Sequence, residues 1–273
     1  MRSNPTAKQL RRKMKAHFHR LISFTALGMA PLWIPLKLIR YRGHFLDGVS
    51  RSLAILLREV PLRFAAQRAG IRLENPFLRF PGIEREPTRL VPGHWTSSHE
   101  QIEYPLLMAL CALLKPRRIF EFGTFLGEAT LMFARAAPEA SITTINIPEY
   151  EEPTLGIGEK QRPELLRNQQ IGSLFQGGPE NRRINQILCD SATFDINGHE
   201  NTYDFIWIDA GHSYENVKSD SKKALAMIRK NGYIFWHDFD AEQPGVTRAL
   251  LEIASNRKLF WIARTSIVGF QNT

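Results

Sequence analysis

The chain has 273 residues, 43% of them apolar and 10% aromatic, enough to fill a sizeable core, so global disorder is excluded. Its net charge of +9 is local: residues 1–46 carry ten Lys/Arg and no carboxylate, which leaves 26 basic against 27 acidic residues elsewhere. A body this close to neutral lacks the basic surface of a nucleic-acid binder, and two cysteines without metal-ligand spacing, Cys111 and Cys189, speak against a disulfide framework or a zinc site.

Residues 1–70 read as a helical arm, with Ser50 to Phe64 rich in Leu, Ala and Arg. Within it, Leu21 to Leu36 is a 16-residue uncharged stretch behind a strongly basic leader, broken by Gly28, Pro31 and Pro35. That is short of the roughly 20 apolar residues a spanning helix needs, and no small-x-small cleavage site follows cleanly. Three readings stay open for it: an appendage on the body or on a partner subunit in a homo-oligomer, a peripheral membrane-surface segment over residues 1–42, or a true anchor. The expected compartment is the cytoplasm. Residues 71–96 hold Pro76, Pro81, Pro87 and Pro92, which breaks up long elements and marks a linker or a loop-rich layer.

The main domain is placed at residues 97–273. Ser97 to Leu114 is a helix whose Tyr104, Leu107, Leu110, Cys111 and Leu114 share one face. Arg118 to Phe122 is a buried-type strand, and Leu126 to Ala137 a helix stopped by Pro138. Ser141 to Ile147 is a β-branched strand; Pro148 to Glu180 is a polar loop with one helix at Pro163 to Ile171. Ile184 to Cys189 and Tyr203 to Ile208 are strands. Ser213 caps a helix to Lys230, with Val217, Ser221, Leu225 and Ile228 on one face and Gly232 as its stop. Tyr233 to His237 is a strand, Val246 to Ser255 a helix, and Lys258 to Ala263 with Ser266 to Phe270 a closing hairpin. This alternation predicts an α/β, doubly wound, mostly parallel sheet with one antiparallel edge strand at the C-terminus.

Three stretches carry chemistry. In Glu121-Phe-Gly-Thr-Phe-Leu-Gly127, Gly123 permits a sharp turn and Gly127 a close approach of ligand to the helix start. The G-x-x-x-G spacing is neither a dinucleotide fingerprint nor a P-loop. Glu121 beside the turn suits a cationic amine. Asp209-Ala-Gly-His212 follows a strand of four apolar residues, and His237-Asp-Phe-Asp240 follows the next strand. On adjacent parallel strands Asp209 and Asp238 would project into one crevice. Two carboxylates with nearby imidazoles suit a hard divalent ion, leaving His212 as a base.

Taken together, Phe120-Glu-Phe-Gly-Thr-Phe-Leu-Gly127, Asp190-Ser191, Asp204 to Tyr214 and Trp236-His-Asp-Phe239 resemble the class I S-adenosylmethionine-dependent methyltransferases. Within that fold the resemblance, over Ser97 to Phe270, is to small-molecule O-methyltransferases related to the macrolide-sugar and catechol enzymes. It implies a seven-stranded Rossmann-like sheet. It implies that Glu121, Gly123, Thr124 and Gly127 hold the methionine end of the cofactor, and that Asn146 stands where an acidic residue usually holds the ribose. Asp190 and Ser191 would lie near the adenine. Asp209 and Asp238, with His237 beside them, match a Mg²⁺ site, and His212 the base that deprotonates a small hydroxylated acceptor. Tyr150, Phe175 and arginines of the Pro148 to Glu180 loop are candidates for the acceptor pocket. Two other readings are a nucleic-acid methyltransferase, disfavoured by the neutral body, and a non-catalytic membrane-associated binding module.

Overall fold

A computed structural model describes residues 60–86, 100–149, 151–155 and 170–273. The arm up to residue 59, with its Leu21 to Leu36 stretch, and Tyr150 lie outside the described residues, as does the helix predicted at Pro163 to Ile171 except for its last two positions. Residues 60–68 are helical, the described end of the helical arm.

Near-continuous apolar runs flanked by turn residues become the inner strands, because a parallel sheet is covered on both faces. In chain order the strands are β1 (Arg72–Glu74), β2 (Arg118–Phe122), β3 (Ser141–Asn146), β4 (Ile184–Leu188), β5 (Tyr203–Ile208), β6 (Ile228–Trp236), β7 (Leu259–Ile262) and β8 (Val268–Gln271). Among the described residues, the main helices packed on them are α1 (Glu100–Leu114), α2 (Glu128–Ala136), α3 (Tyr214–Met227) and α4 (Pro244–Ala254), joined by Leu62 and Ala66 of the helical residues 60–68. The sheet order is β1-β7-β8-β6-β5-β2-β3-β4. Every pairing is parallel except those of β8 with β6 and with β7.

Alternate residues of the inner strands feed two cores, as the two-residue repeat of a strand requires. Ile119, Phe205, Trp207 and Phe235 meet Leu107, Leu110, Cys111, Met132 and Phe133 on one face. Phe120, Phe122, Ile206, Ile208, Ile234 and Trp236 meet Val217, Ala224, Ala249 and Leu250 on the other. The fold is the doubly wound α/β architecture expected.

Three details differ from the sequence reading. The sheet has eight strands rather than seven, because Arg72–Glu74, inside the proline-rich stretch, pairs in parallel with β7. A strand of three residues is too short to show periodicity. The antiparallel strand is interior rather than at the edge, since β8 inserts between β6 and β7 and β1 takes the outer side of β7. Finally, α3 ends at Met227, not Lys230, and Gly232 lies within β6 instead of stopping the helix. Ile228, fully buried, already pairs with Tyr203, and Asn231 takes the left-handed turn (φ 65) that Gly232 was expected to supply.

The order reverses at β2, which is flanked by β3 on one side and β5 on the other. That switch point opens a crevice beyond the strand C-termini, where open α/β sheets bind ligands.

Candidate active site

The turn after β2 is built by three positive-φ residues, Gly123 (φ 96), Phe125 (φ 48) and Gly127 (φ 89). Gly123 is required by a neighbour as well as by its backbone: a Cβ there would lie 2.1 Å from the Asp209 carbonyl oxygen. Asp209 N–H in turn donates to Phe122 O at 2.9 Å, so the first and second motifs are joined backbone to backbone. Gly127 serves differently from the expectation. The space over it holds the Phe175 ring, 2.5 Å from where a Cβ would stand, so a side chain and not a ligand makes the close approach. Phe175 is correspondingly buried in the core and does not line an acceptor pocket.

Glu121 is fully buried. Thr130 Oγ1, on α2, donates to its Oε2, while Oε1 is buried without a hydrogen-bond partner. Burial pushes the carboxyl up to about 8, the Thr130 bond opposing and the nearby Asp209 charge adding to the shift. Thr124 Oγ1 meets Thr144 Oγ1 at 2.6 Å beneath the loop. Asn146, at the end of β3, accepts from the backbone N–H groups of Thr124 and Phe125, both at 3.0 Å, and donates through Nδ2 to Ile147 O at 2.7 Å. Its amide therefore holds the turn itself. Asp190, after β4, accepts from Thr154 N at 2.7 Å and Ala192 N at 2.9 Å. Burial would raise its carboxyl, but these bonds and the Lys223 charge hold it below the usual range. Lys223 Nζ donates to the carbonyls of Ser191 and Ala192, so Asp190 and Ser191 are braced from α3.

The ends of β5 and β6 bring Asp209, His212, His237 and Asp238 together, as the parallel pairing of those strands requires. Ser213 caps α3 by accepting from Asn216 N at 3.2 Å, which fixes the turn carrying His212. His212 Nε2 lies 2.8 Å from Asp238 Oδ2. His237 Nδ1 is 3.2 Å from Asp209 Oδ1 and 3.3 Å from Asp238 Oδ1, and its Nε2 is 2.9 Å from Glu103 Oε2. Burial opposes the charge on His237, but the Asp209 charge and the three carboxylate contacts outweigh it and raise the ring well above its ordinary value. Asp238 is held well below the carboxylate range: burial opposes, and the bonds and charges of His212 and His237 prevail. Of the remaining residues in that motif, Phe239 is buried edge-on against Trp261, and Asp240 accepts from Glu242 N and Gln243 N at the start of α4.

One oxygen each from Asp209 and Asp238 and one ring nitrogen of His212 fall within 4.8 Å of one another, a group that fits a divalent ion. His237 does not fit as a ligand, because carboxylates occupy both of its ring nitrogens. Glu103 was missed in the sequence. The signal was present: Glu103, Leu107 and Leu110 share one face of α1, and a carboxylate on an apolar face calls for a partner.

Residues 120–239 match the model of a methyltransferase domain, a span from within β2 to just beyond β6 that holds every predicted site residue. That segment is similar to a methyltransferase domain, and the relatives that the chain matches carry the name of O-methyltransferases. A mouse protein named Transmembrane O-methyltransferase homolog is 29% identical over 168 residues, covering 57% of this chain and 60% of that one. The human Transmembrane O-methyltransferase is 28% identical over 148 residues, covering 50% and 47%. The chain thus spans about half to three fifths of the length of these relatives. A solved O-methyltransferase from Bacillus cereus in complex with SAH aligns with a TM-score of 0.45 and 17% identity, over 77% of this chain and 90% of that one. Among the described residues, no helix is long and apolar enough to cross a membrane.

Proposed function

We propose that this protein moves a methyl group from S-adenosylmethionine to a hydroxyl oxygen of a small molecule, with His212 as the base. The observation that carries the reading is the junction of two strand ends, where Gly123 turns against the Asp209 carbonyl and His212 pairs with Asp238 at 2.8 Å. The names of the mouse and human relatives support oxygen as the acceptor atom. When bound, S-adenosylmethionine supplies a sulfonium methyl group and departs as a neutral thioether. Glu121 Oε1, buried and unpartnered, fits the ammonium of its methionine end.

In the tautomer that donates Nε2–H to Asp238, His212 presents Nδ1 to the acceptor hydroxyl and takes its proton there. Asp238 holds the ring in that orientation and stabilises the imidazolium that forms, as the carboxylate does in a histidine–carboxylate pair. The hydroxyl oxygen, its O–H bond broken, forms the new bond to carbon. Positioning supplies much of the remaining rate. A divalent ion would be held by Asp209 and Asp238 and would supply Lewis-acid stabilisation of the developing oxyanion.

Calorimetry with S-adenosylmethionine and with SAH tests the cofactor reading, and no binding of either would refute it. Methyl-labelled donor offered to a panel of sugars, catechols and other hydroxylated metabolites then finds the acceptor. The proposal extends to the arm: residues 1–42, with ten Lys/Arg and no carboxylate, hold the protein against an anionic membrane surface on its cytoplasmic side. Co-flotation of the full chain with phosphatidylserine vesicles, lost in high salt, is the expected result; equal flotation with neutral vesicles would contradict it.

A further inference from the structure

We propose that Glu103 is a positioning residue of this site: from α1 it fixes the His237 ring, and through that ring the Asp209 and Asp238 carboxylates. The inference rests on the reading of the strand ends as the chemical centre. Glu103 lies outside the segment matched to the methyltransferase domain and outside every motif of the sequence. Its side chain is 1% exposed, and a carboxylate is costly to bury unless it is fully paired.

The pairing is complete and directed. Oε1 accepts from Ser266 N–H, and Oε2 lies 2.9 Å from His237 Nε2. Ser266 then uses its other atoms on the neighbouring turn: Oγ accepts from Asp238 N at 3.2 Å and the carbonyl from Phe239 N at 2.9 Å. These bonds brace Asp238 in a left-handed backbone conformation (φ 61), uncommon for a non-glycine residue though among the easier ones for an aspartate. The far side of the His237 ring contacts both Asp209 and Asp238, and its faces are confined by Tyr104, stacked at 6.5 Å between centroids, and Trp207 at 5.4 Å. Glu103 therefore holds the ring at one nitrogen while the ring holds two carboxylates at the other. Asp238 passes that placement to His212.

The test uses the full chain with SAH added and compares wild type with Glu103→Gln, which keeps an acceptor for Ser266 N–H, and Glu103→Leu, which fills the same space without a polar group. Imidazole proton–nitrogen spectra report the His237 and His212 ring N–H groups. Both variants should lose or shift the His237 Nε2–H signal and also shift the His212 Nε2–H signal, while SAH affinity stays within about twofold of wild type. With an acceptor from the panel, kcat should fall by about tenfold or more with little change in KM for the donor. An unchanged His212 signal in both variants would overturn the proposal, as would a matching loss of SAH affinity, which marks a general structural role. The spectra need no acceptor. If wild type transfers no methyl group, the functional reading fails while the spectra still decide the role of Glu103.

Discussion

Replacing Gly123 by Ala separates two costs that the structure assigns to one residue. The first is backbone strain, since φ is +96 and a Cβ there costs about 1–2 kcal/mol. The second is a collision: the added carbon would stand 2.1 Å from the Asp209 carbonyl oxygen, 2.7 Å from its carbonyl carbon and 3.0 Å from Ala210 Cα. Restoring ordinary contact requires β2 and β5 to part by about 1 Å, an overpacking cost of about 1–3 kcal/mol. The Asp209 N–H to Phe122 O bond resists that movement. A total near 2–5 kcal/mol follows from the two terms. Gly177→Ala is the control, because Gly177 has a φ of +74 but nothing within 4 Å of an added Cβ. Thermal and denaturant unfolding should show Gly123→Ala well below Gly177→Ala in stability. SAH affinity should drop only in the former, and turnover by about 100-fold for a shift of this size. If the two variants are equally stable and bind SAH equally, the junction does not hold the site.

Three further outcomes follow from the same geometry. Because burial raises Glu121 from 4.5 to about 8, the folded protein keeps a proton that the unfolded chain releases, so stability declines as pH rises through that interval. Glu121→Gln should flatten that decline in denaturant titrations at pH 6 and pH 8, leaving the slope from Asp220, which burial pushes up to about 7, and from His237, which its carboxylate neighbours hold well above its ordinary value; an identical slope in the variant would contradict the assignment. His212→Ala should lower kcat by about 100-fold or more while calorimetric binding of S-adenosylmethionine is retained, and survival of full activity would remove His212 as the base. Dialysis against a chelator should reduce turnover, with recovery on Mg²⁺ addition in wild type and none in Asp209→Asn; undiminished turnover without metal would leave the Asp209–Asp238 pair as a purely electrostatic device.

The frame of the fold was readable because its inner strands are buried on both faces. Ile119 to Phe122 and Phe205 to Ile208 are apolar enough to stand out, and each ends at an acidic residue or a glycine turn. Ser213 announced the start of α3 because a cap has a local signature. What was not readable depended on distant partners. β1 is three residues long and exists because β7 offers an edge. The interior place of β8 follows from both its neighbours, which no hairpin signal encodes. Gly127 looked like room for a ligand until Phe175, some fifty residues away, filled the space. In the site, Asp209, His212 and Asp238 were legible from their positions after consecutive strands. The supporting residues Glu103 and Ser266 were not, because α1 and the turn before β8 reach the centre through tertiary packing alone.

The central claim is that the crevice at the ends of β2, β5 and β6 carries out methyl transfer to oxygen. Its most direct test is incubation of the full chain with methyl-labelled S-adenosylmethionine and the hydroxylated panel, followed by analysis of the labelled product. The account predicts label in an O-methyl group, with one SAH formed for each methyl group moved. Donor binding with the label delivered only to nitrogen, or with no transfer to any hydroxyl in the panel, would contradict it.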